Sequence, residues 1–361
     1  ADLKENPLHA ILSGFLIGDT PGTGTFYDFL GRLWLSDKNN LSDPAHPPKE
    51  KPKKPDKKGD KAPSVEKVTV KDLFQQFEEH PPTDMEPGKL LYEIFKVLFL
   101  QHSVQDGLVD LLSLSLAGDG TPVYTAAQER KKRTCGCLEK GVRDCRCNRI
   151  YSQPDCNIGW DSHRERYYFG YDLYMLTDAG SGKDLPVFPF LSPASRHDSV
   201  GFLYNWFSMK QFLPEAVVTK LLLDSAHDAM PYYEYCRDHG IIPFIDLNAD
   251  RGRPPVYKDD FTINHEGVPV CRESHVMRRD GTEPAKGRTK FKCPKISFAG
   301  GSVTCTCENP CSTAKYGRTV HLVLKDNPRL FNHPPRSSKA WKLEYNARTS
   351  AERCNKREKV D

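Results

Sequence analysis

The chain has 361 residues, enough for two or three domains, and a formal net charge of only +4, so it is not a globally basic nucleic-acid coat and any DNA-binding surface must come from local clustering of charge. No apolar run of about 18 residues exists, which excludes a membrane span read from sequence. The start, ADLKENPLHAIL, lacks the basic and long apolar regions of a signal peptide. The twelve cysteines cluster as C-x-C pairs, a pattern of metal ligation in a reducing compartment more than of a disulfide framework. A cytoplasmic protein is expected. The chain opens inside an element and stops two residues after Lys359, as a piece of a longer protein would.

Residues 1–42 form a helical N-terminal region. PLHAILSGF and TGTFYDFLGRLWL carry apolar residues at helical spacing, and Thr23 or Thr25 supplies a cap. Residues 43–64, DPAHPPKEKPKKPDKKGDKAPS, bury almost nothing and read as a disordered Pro/Lys linker, either a solvated tether or a non-specific phosphate contact. Helices resume over 65–109 with VKDLFQQFEEH and KLLYEIFKVLFLQHSVQDG. The second presents Leu90, Leu91, Ile94, Val97 and Leu98 as a face for core packing.

From residue 110 the period changes. LLSLSLAGDGTPV alternates as a half-buried strand ending at Gly118-Asp119-Gly120-Thr121, where Asp119 is open to a metal and a phosphate unless it merely makes a turn. A cysteine-rich, basic knuckle spans 130–156. Cys135, Cys137, Cys145 and Cys147 are two tight pairs that offer a structural zinc site, although such pairs more often have at least two intervening residues. Arg130, Lys131, Lys132 and Arg133 lead into it as DNA-binding candidates.

RYYFGYDLYMLTD, a Gly180-Ser181-Gly182 turn and DLPVFPFL read as a hairpin, with Pro186 and Pro189 placing the return strand at an edge. A helix follows, SVGFLYNWFSMKQFL, with Asp198 or Ser199 as its cap; capping is the expected job for Asp198 and His197. Val217 to Leu223 is the apolar run of a central strand. It ends at Asp224, at the carboxyl end where open sheets bind ligands. Asp228 is read as a cap or as support behind that site. IIPFIDLN supplies the last strand. Residues 251–335 are rich in Pro, Gly, Lys and Arg with short β-like pieces such as TVHLVLK, and read as an insertion domain. Cys293, Cys305, Cys307 and Cys311 there offer a second zinc site.

The last stretch, Tyr345 to Lys359 (YNARTSAERCNKREK), read as a helix, keeps Tyr345, Arg348, Glu352 and Lys359 on one face. Taken alone, such a face is also what a solvated helix end looks like. The spacing Tyr-x2-Arg-x3-Glu-x6-Lys, however, resembles without gap or substitution a signature of DDE transposases from bacterial insertion sequences. Upstream, Asp-Gly-Thr at 119–121, Phe-Gly-Tyr at 169–171, His-Asp-Ser at 197–199 and the Asp-x3-Asp step at 224–228 are similar to segments of the same family.

The resemblance implies a ribonuclease-H-like mixed sheet flanked by helices, residues 110–250 and 336–361, with a helical N-terminal region that binds the element's end. A β-rich insertion lies between the second Asp and the Glu. It implies that Asp119, Asp224 and Glu352 hold Mg²⁺ or Mn²⁺, while Tyr345, Arg348 and Lys359 contact DNA phosphates. Two such ions about 4 Å apart activate a water or 3′-hydroxyl and stabilise the leaving oxygen. Asp161, in NIGWDSHRER, competes for the first acid but lacks a strand pattern, so Asp119 is preferred. The implied activity is cleavage of transposon ends and strand transfer into target DNA. The partners are double-stranded DNA and a second copy in a synaptic homodimer, with the protein nucleoid-associated when bound and no membrane involved. The alternatives are a catalytically inactive, transposase-derived DNA-binding protein and a metal-dependent nuclease without strand transfer.

Overall fold

The structure is a computed structural model that describes residues 68–82, 86–125, 132–133, 136–143, 149–150, 156–248, 261–264, 266–299, 302–314 and 316–358, with scattered positions before residue 29. For 86–87, 132–133, 149–150, 298–299, 302–305 and 358 only the backbone is described. The N-terminal region 1–42 is thus described only at scattered positions, and the linker 43–64 lies outside the described residues. No described helix is long and apolar enough to cross a membrane.

α1 (Val70–Glu79) opens with a capping box in which Thr69 and Asp72 each satisfy the other's backbone N–H, and it buries Phe74 and Phe77. α2 (Glu86–Phe95) passes through a π-helical segment, Lys96–Leu100, into α3 (Gln101–Gln105). The face expected to pack is not the one that does. Leu90, Leu91, Ile94, Val97 and Leu98 are exposed, Leu98 at 57% and the neighbouring Phe99 at 59%. The helix docks instead through Tyr92, Phe95, Leu100 and Val104, with the Tyr92 ring 4.5 Å from Phe188 and 5.4 Å from Phe212. A segment that is apolar nearly all round does not encode which face is buried, and the π segment shifts that face along its length.

The main sheet contains β1 (Leu114–Tyr124), β4 (Asn157–Asp161), β5 (Arg166–Asp178), β6 (Leu185–Pro193), β7 (Val218–Leu223) and β8 (Ile242–Ile245). β2 (Lys132–Arg133) and β3 (Arg149–Ile150) form a separate ribbon at the base of the cysteine-rich segment. β5 is antiparallel to β1 along Leu116–Tyr124. Its other edge pairs β4 over Arg166–Gly170 and β6 over Tyr171–Asp178. β1, β7 and β8 run parallel. The hairpin and the edge position of its proline-bearing strand follow the sequence reading.

Helices cover both faces of this mixed sheet, as the period of two along each strand dictates. Leu114, Leu116, Tyr174, Leu176, Leu221 and Leu223 face α1, α4 (Asp198–Phe212) and α5 (Met230–Asp238) across the larger core. Ala117, Leu222 and Phe244 face the other way, onto Trp341 of α6 (Lys339–Asn346) and Ala351 of α7 (Thr349–Glu358).

Between β8 and α6 lie short strands: β9 (Phe261–Ile263), β10 (Pro269–Cys271), β11 (Arg278–Glu283), β12 (Arg288–Lys292), β13 (Ile296–Ala299), β14 (Ser302–Cys305) and β15 (Thr319–Val323). Phe261, Ile263, Met277, Phe291, Val320 and Leu322 build a second apolar cluster there. It is tied to the main core through charge. Asp228 is fully buried and accepts a fork from Arg329, Nε at 2.8 Å and Nη2 at 2.6 Å. Tyr233 Oη and the Asn248 N–H also donate to Asp228, at 3.0 and 2.8 Å. Asp228 therefore does not cap α5, whose cap position is Ala229; it anchors the β-rich segment. Arg336, also buried, donates to the carbonyls of Ile245 and Arg329 and to Tyr233 Oη.

Candidate functional site

Ala117 of β1 and Leu222 of β7 are register partners, and both pack against Ala351 of α7. Two residues further along each strand come Asp119 and Asp224, and one residue after Ala351 comes Glu352. The period of two therefore aims Asp119 at the face that α7 covers. All three carboxylates line one groove of about 1360 Å³, together with Asp172, Asp198, Asn355 and Lys356.

β1 does not stop at Asp119. It continues to Tyr124, with Asp119 opposite Met175 of β5, whereas its parallel pairing with β7 ends at Ala117. Asp119 thus lies just past the end of the parallel pairing, inside a strand and not in a turn. Its flanking glycines make room. A Cβ on Gly118 would sit 2.7 Å from Tyr174 Oη, and one on Gly120 would sit 2.8 Å from Asp172 Oδ2 and 3.2 Å from Asp198 Oδ1.

Asp224 follows β7 and caps the short turn Ser225–His227, accepting from the Ala226 N–H at 3.1 Å. Its Oδ1 is 2.6 Å from Nδ1 of His227, a buried ring whose Nε2 is 2.9 Å from Tyr174 Oη. Burial pushes the Tyr174 phenol well above its usual range, so it keeps its proton. The phenol then donates to Nε2, and Nδ1–H donates to Asp224. Burial alone would raise the Asp224 pKa, but the hydrogen bonds from His227 and the Ala226 N–H, with the Arg348 charge, outweigh it and leave the carboxyl below the ordinary range.

Asp119 is in the opposite situation. Burial pushes its pKa up to about 7, the nearby Asp224, Asp198 and Glu352 charges push the same way, and Arg348 opposes them. Its side-chain contact is a long one, 3.5 Å from Asn355 Nδ2. Asp198 is likewise raised, mainly by burial. It does not cap α4: His197 does, its Nδ1 accepting from the Ser199 N–H at 3.2 Å, which leaves the Asp198 carboxyl in the groove.

The Tyr345–Lys359 stretch is two helices and not one. α6 ends at Asn346, Ala347 and Arg348 form a turn closed by 2.9 and 3.0 Å bonds from the Arg348 and Ser350 N–H groups to the residues three before, and α7 begins at Thr349. The tight turn still keeps Tyr345, Arg348 and Glu352 together. The Arg348 guanidinium carbon lies 5.9 Å from the Tyr345 ring centre, and Nη2 is 2.5 Å from Glu352 Oε1. α7 is pinned to the β5–β6 turn, where Arg353 forks onto both Asp184 oxygens at 2.7 Å and Arg357 donates to the Lys183 and Asp184 carbonyls.

Asp161, the competitor for the first acid, holds the β4–β5 turn. It accepts from the N–H groups of His163 and Arg164 at 2.9 and 3.1 Å and from the Tyr124 hydroxyl.

Lys359, Arg130, Lys131, Cys135, Cys145 and Cys147 lie outside the described residues, and Lys132, Arg133 and Cys305 are described only in backbone. Cys137, Cys307 and Cys311 are half-buried and Cys293 is buried. Among the described residues no three His, Cys, Asp or Glu side chains stand close enough to hold one metal ion. Asn355, Lys356, Asp172 and the His227–Tyr174 pair are additions to the residues read from sequence. Asn355 and Lys356 had a signal, standing three and four residues after Glu352 on its helical face. Comparison with protein-family models, with curated proteins and with solved structures finds no match to this chain.

Proposed function

We propose that the chain is a DDE-type transposase that cleaves phosphodiester bonds at the ends of a DNA element and joins them to target DNA. The observation that carries this reading is the meeting of Asp119, Asp224 and Glu352 in one groove at the end of the parallel strands. The antiparallel β1–β5–β6 meander followed by parallel β7 and β8, with α7 laid across it, supports a ribonuclease-H-like core.

The donor set fits Mg²⁺ or Mn²⁺, because it consists of hard carboxylate oxygens, and burial, reinforced by the neighbouring acids, makes Asp119 resist ionisation. Asp119, Asp224 and Glu352, which share the groove but stand too far apart here to hold one ion together, would close around the metal, which when bound polarises a phosphoryl oxygen and lowers the pKa of the attacking water or 3′-hydroxyl. His227 orients Asp224. Arg348 steadies Glu352 and, with Lys356 on the same side of the groove, offers charge to the flanking phosphates. Double-stranded DNA is the substrate, and a second copy is the partner that brings two ends together.

The test is Mg²⁺-dependent cleavage and joining of labelled element ends by wild type, Asp119→Asn, Asp224→Asn and Glu352→Gln. Each variant should lose cleavage while still folding and binding DNA. Cleavage retained in any of them removes that acid from the site. Cleavage without joined product in the wild type reduces the reading to a nuclease.

A further inference from the structure

The groove does not end at the acids. It continues along Gly120, Thr121, Pro122, Val123 and Tyr124 of β1 to the β4–β5 turn, where Trp160, His163 and Arg164 line it. Those five strand residues span about 17 Å at ~3.4 Å each. At the far end Trp160 is 52% exposed, and its cross-strand partner Tyr167 is 74% exposed. Their rings meet edge to face with centres 4.8 Å apart, which fixes the indole and leaves a face open. Arg164, which lines the groove, and Arg166 lie 5.1 and 5.0 Å from the ring centre of Tyr124. The turn that carries Arg164 is held by Asp161.

A large exposed indole in a groove, braced by a tyrosine and with Arg164 lining the same groove, is costly to leave in water and has no role in the core. Its chemistry matches an unpaired nucleotide: the base covers the indole and the adjoining phosphates meet the arginines. A duplex would offer phosphates to the arginines but keep its base faces stacked inside. We infer that the Trp160 ledge binds an unpaired DNA strand that runs along β1 to the acids. This rests on the nucleic-acid reading of the groove and adds the form of DNA that the groove accepts.

The experiment measures binding without divalent metal, so that it is independent of cleavage. Full-length wild type, Trp160→Ala, Trp160→Phe and an Arg164→Ala/Arg166→Ala variant are titrated with a blunt duplex and with the same duplex carrying a single-stranded extension. A 2-aminopurine in the extension reports stacking. Wild type should prefer the extended duplex and quench the probe. Trp160→Ala should weaken binding of that DNA about 5- to 150-fold, the range for loss of one base–aromatic stack, and leave blunt-duplex affinity unchanged. Trp160→Phe should restore most of the loss. The arginine variant should weaken both DNAs and flatten the salt dependence.

Equal affinity of wild type and Trp160→Ala for the extended duplex overturns the ledge, even if the protein cuts DNA. Reduced stability of Trp160→Ala with unchanged DNA affinity also overturns it and makes the residue a packing partner of Tyr167. Stacking on Trp160 in a protein that cuts nothing with Mg²⁺ leaves the ledge standing and overturns the catalytic reading. Absence of any DNA binding overturns both.

Discussion

Arg329→Ala tests how the β-rich segment is joined to the sheet. Asp228 has no solvent exposure, and its two oxygens receive four hydrogen bonds, two of them from the Arg329 fork. Removing the guanidinium leaves a buried carboxylate that keeps the Tyr233 hydroxyl and the Asn248 N–H. Breaking a buried pair on one side costs about 3–5 kcal/mol. The lower end, about 3 kcal/mol, applies here because two neutral donors remain and the Arg329 side chain is 24% exposed, which gives water a route to the gap. Asp228→Asn combined with Arg329→Ala removes the stranded charge, so the double variant should be more stable than the sum of the single losses predicts, by at least about 1 kcal/mol. Urea unfolding followed by circular dichroism and tryptophan fluorescence gives these values. A loss for Arg329→Ala within about 0.5 kcal/mol, as for an ordinary surface site, or a strictly additive cycle, refutes the pairing as the joint.

Two further outcomes are expected. His227→Phe keeps a ring in the core but removes both nitrogens, so Asp224 and the Tyr174 hydroxyl lose their shared partner; Mg²⁺-dependent cleavage should fall about 10- to 100-fold, as for groups that orient metal ligands, with Tyr174→Phe showing a smaller loss, and unchanged rates in both would dismiss the relay. Arg353→Ala should cost stability in a pH-dependent way. The Arg353 hydrogen bonds hold the Asp184 carboxyl below its ordinary range. A depressed folded pKa gives stability that is full above the unfolded value, about 3.9, and is lost as pH falls through the folded one. The gap in urea midpoint between wild type and Arg353→Ala should therefore be constant from neutral pH down to about 4 and close below it; a gap that persists at lower pH would assign Arg353 a role other than charge pairing.

What could be read from sequence was what depends on near neighbours in the chain. The β5–β6 hairpin is written in alternation around a Gly-Ser-Gly turn, and β7 in an unbroken apolar run, because each pattern directly reflects how many faces are covered. Asp224 was legible for the same reason: it ends that run. Three of the failures involve partners distant in sequence. Gly118-Asp119-Gly120 has the composition of a turn, yet it continues as strand because Met175, more than fifty residues later, pairs with it. Asp228 has the position of a helix cap, yet Arg329 arrives from a different segment to claim it. The apolar face of α2 was misassigned because Tyr92, and not the leucines, meets Phe188 and Phe212. A helical wheel also has no means of showing the turn at Ala347 and Arg348, since the residues on either side of it keep helical spacing.

The charges of the molecule separate into two kinds, and the difference bears on function. Asp228, Asp184 and Asp161 are each matched to donors: Arg329 with Tyr233 and Asn248, Arg353, and two backbone N–H groups with Tyr124. Those pairings secure, in turn, the β-rich segment, α7 and the β4–β5 turn, which are the elements that frame the groove. Inside the groove the acids divide. Asp224 and Glu352 have His227 and Arg348, whereas Asp119, whose hydrogen bond among the described residues is the 3.5 Å contact to Asn355, has a pKa pushed up to about 7, chiefly by burial, and Asp198 is raised in the same way. Folding alone would not select such crowding, because like charges brought out of water oppose the compact state. A fold that satisfies its supporting carboxylates and leaves Asp119 and Asp198 raised supports the cation site proposed above. The same reasoning explains why the arginines of the Trp160 ledge stand at the far end of the groove. Placed among the acids they would neutralise them. Placed along β1 they would, on the proposed reading, leave the acids to the metal and take the phosphates of the incoming strand.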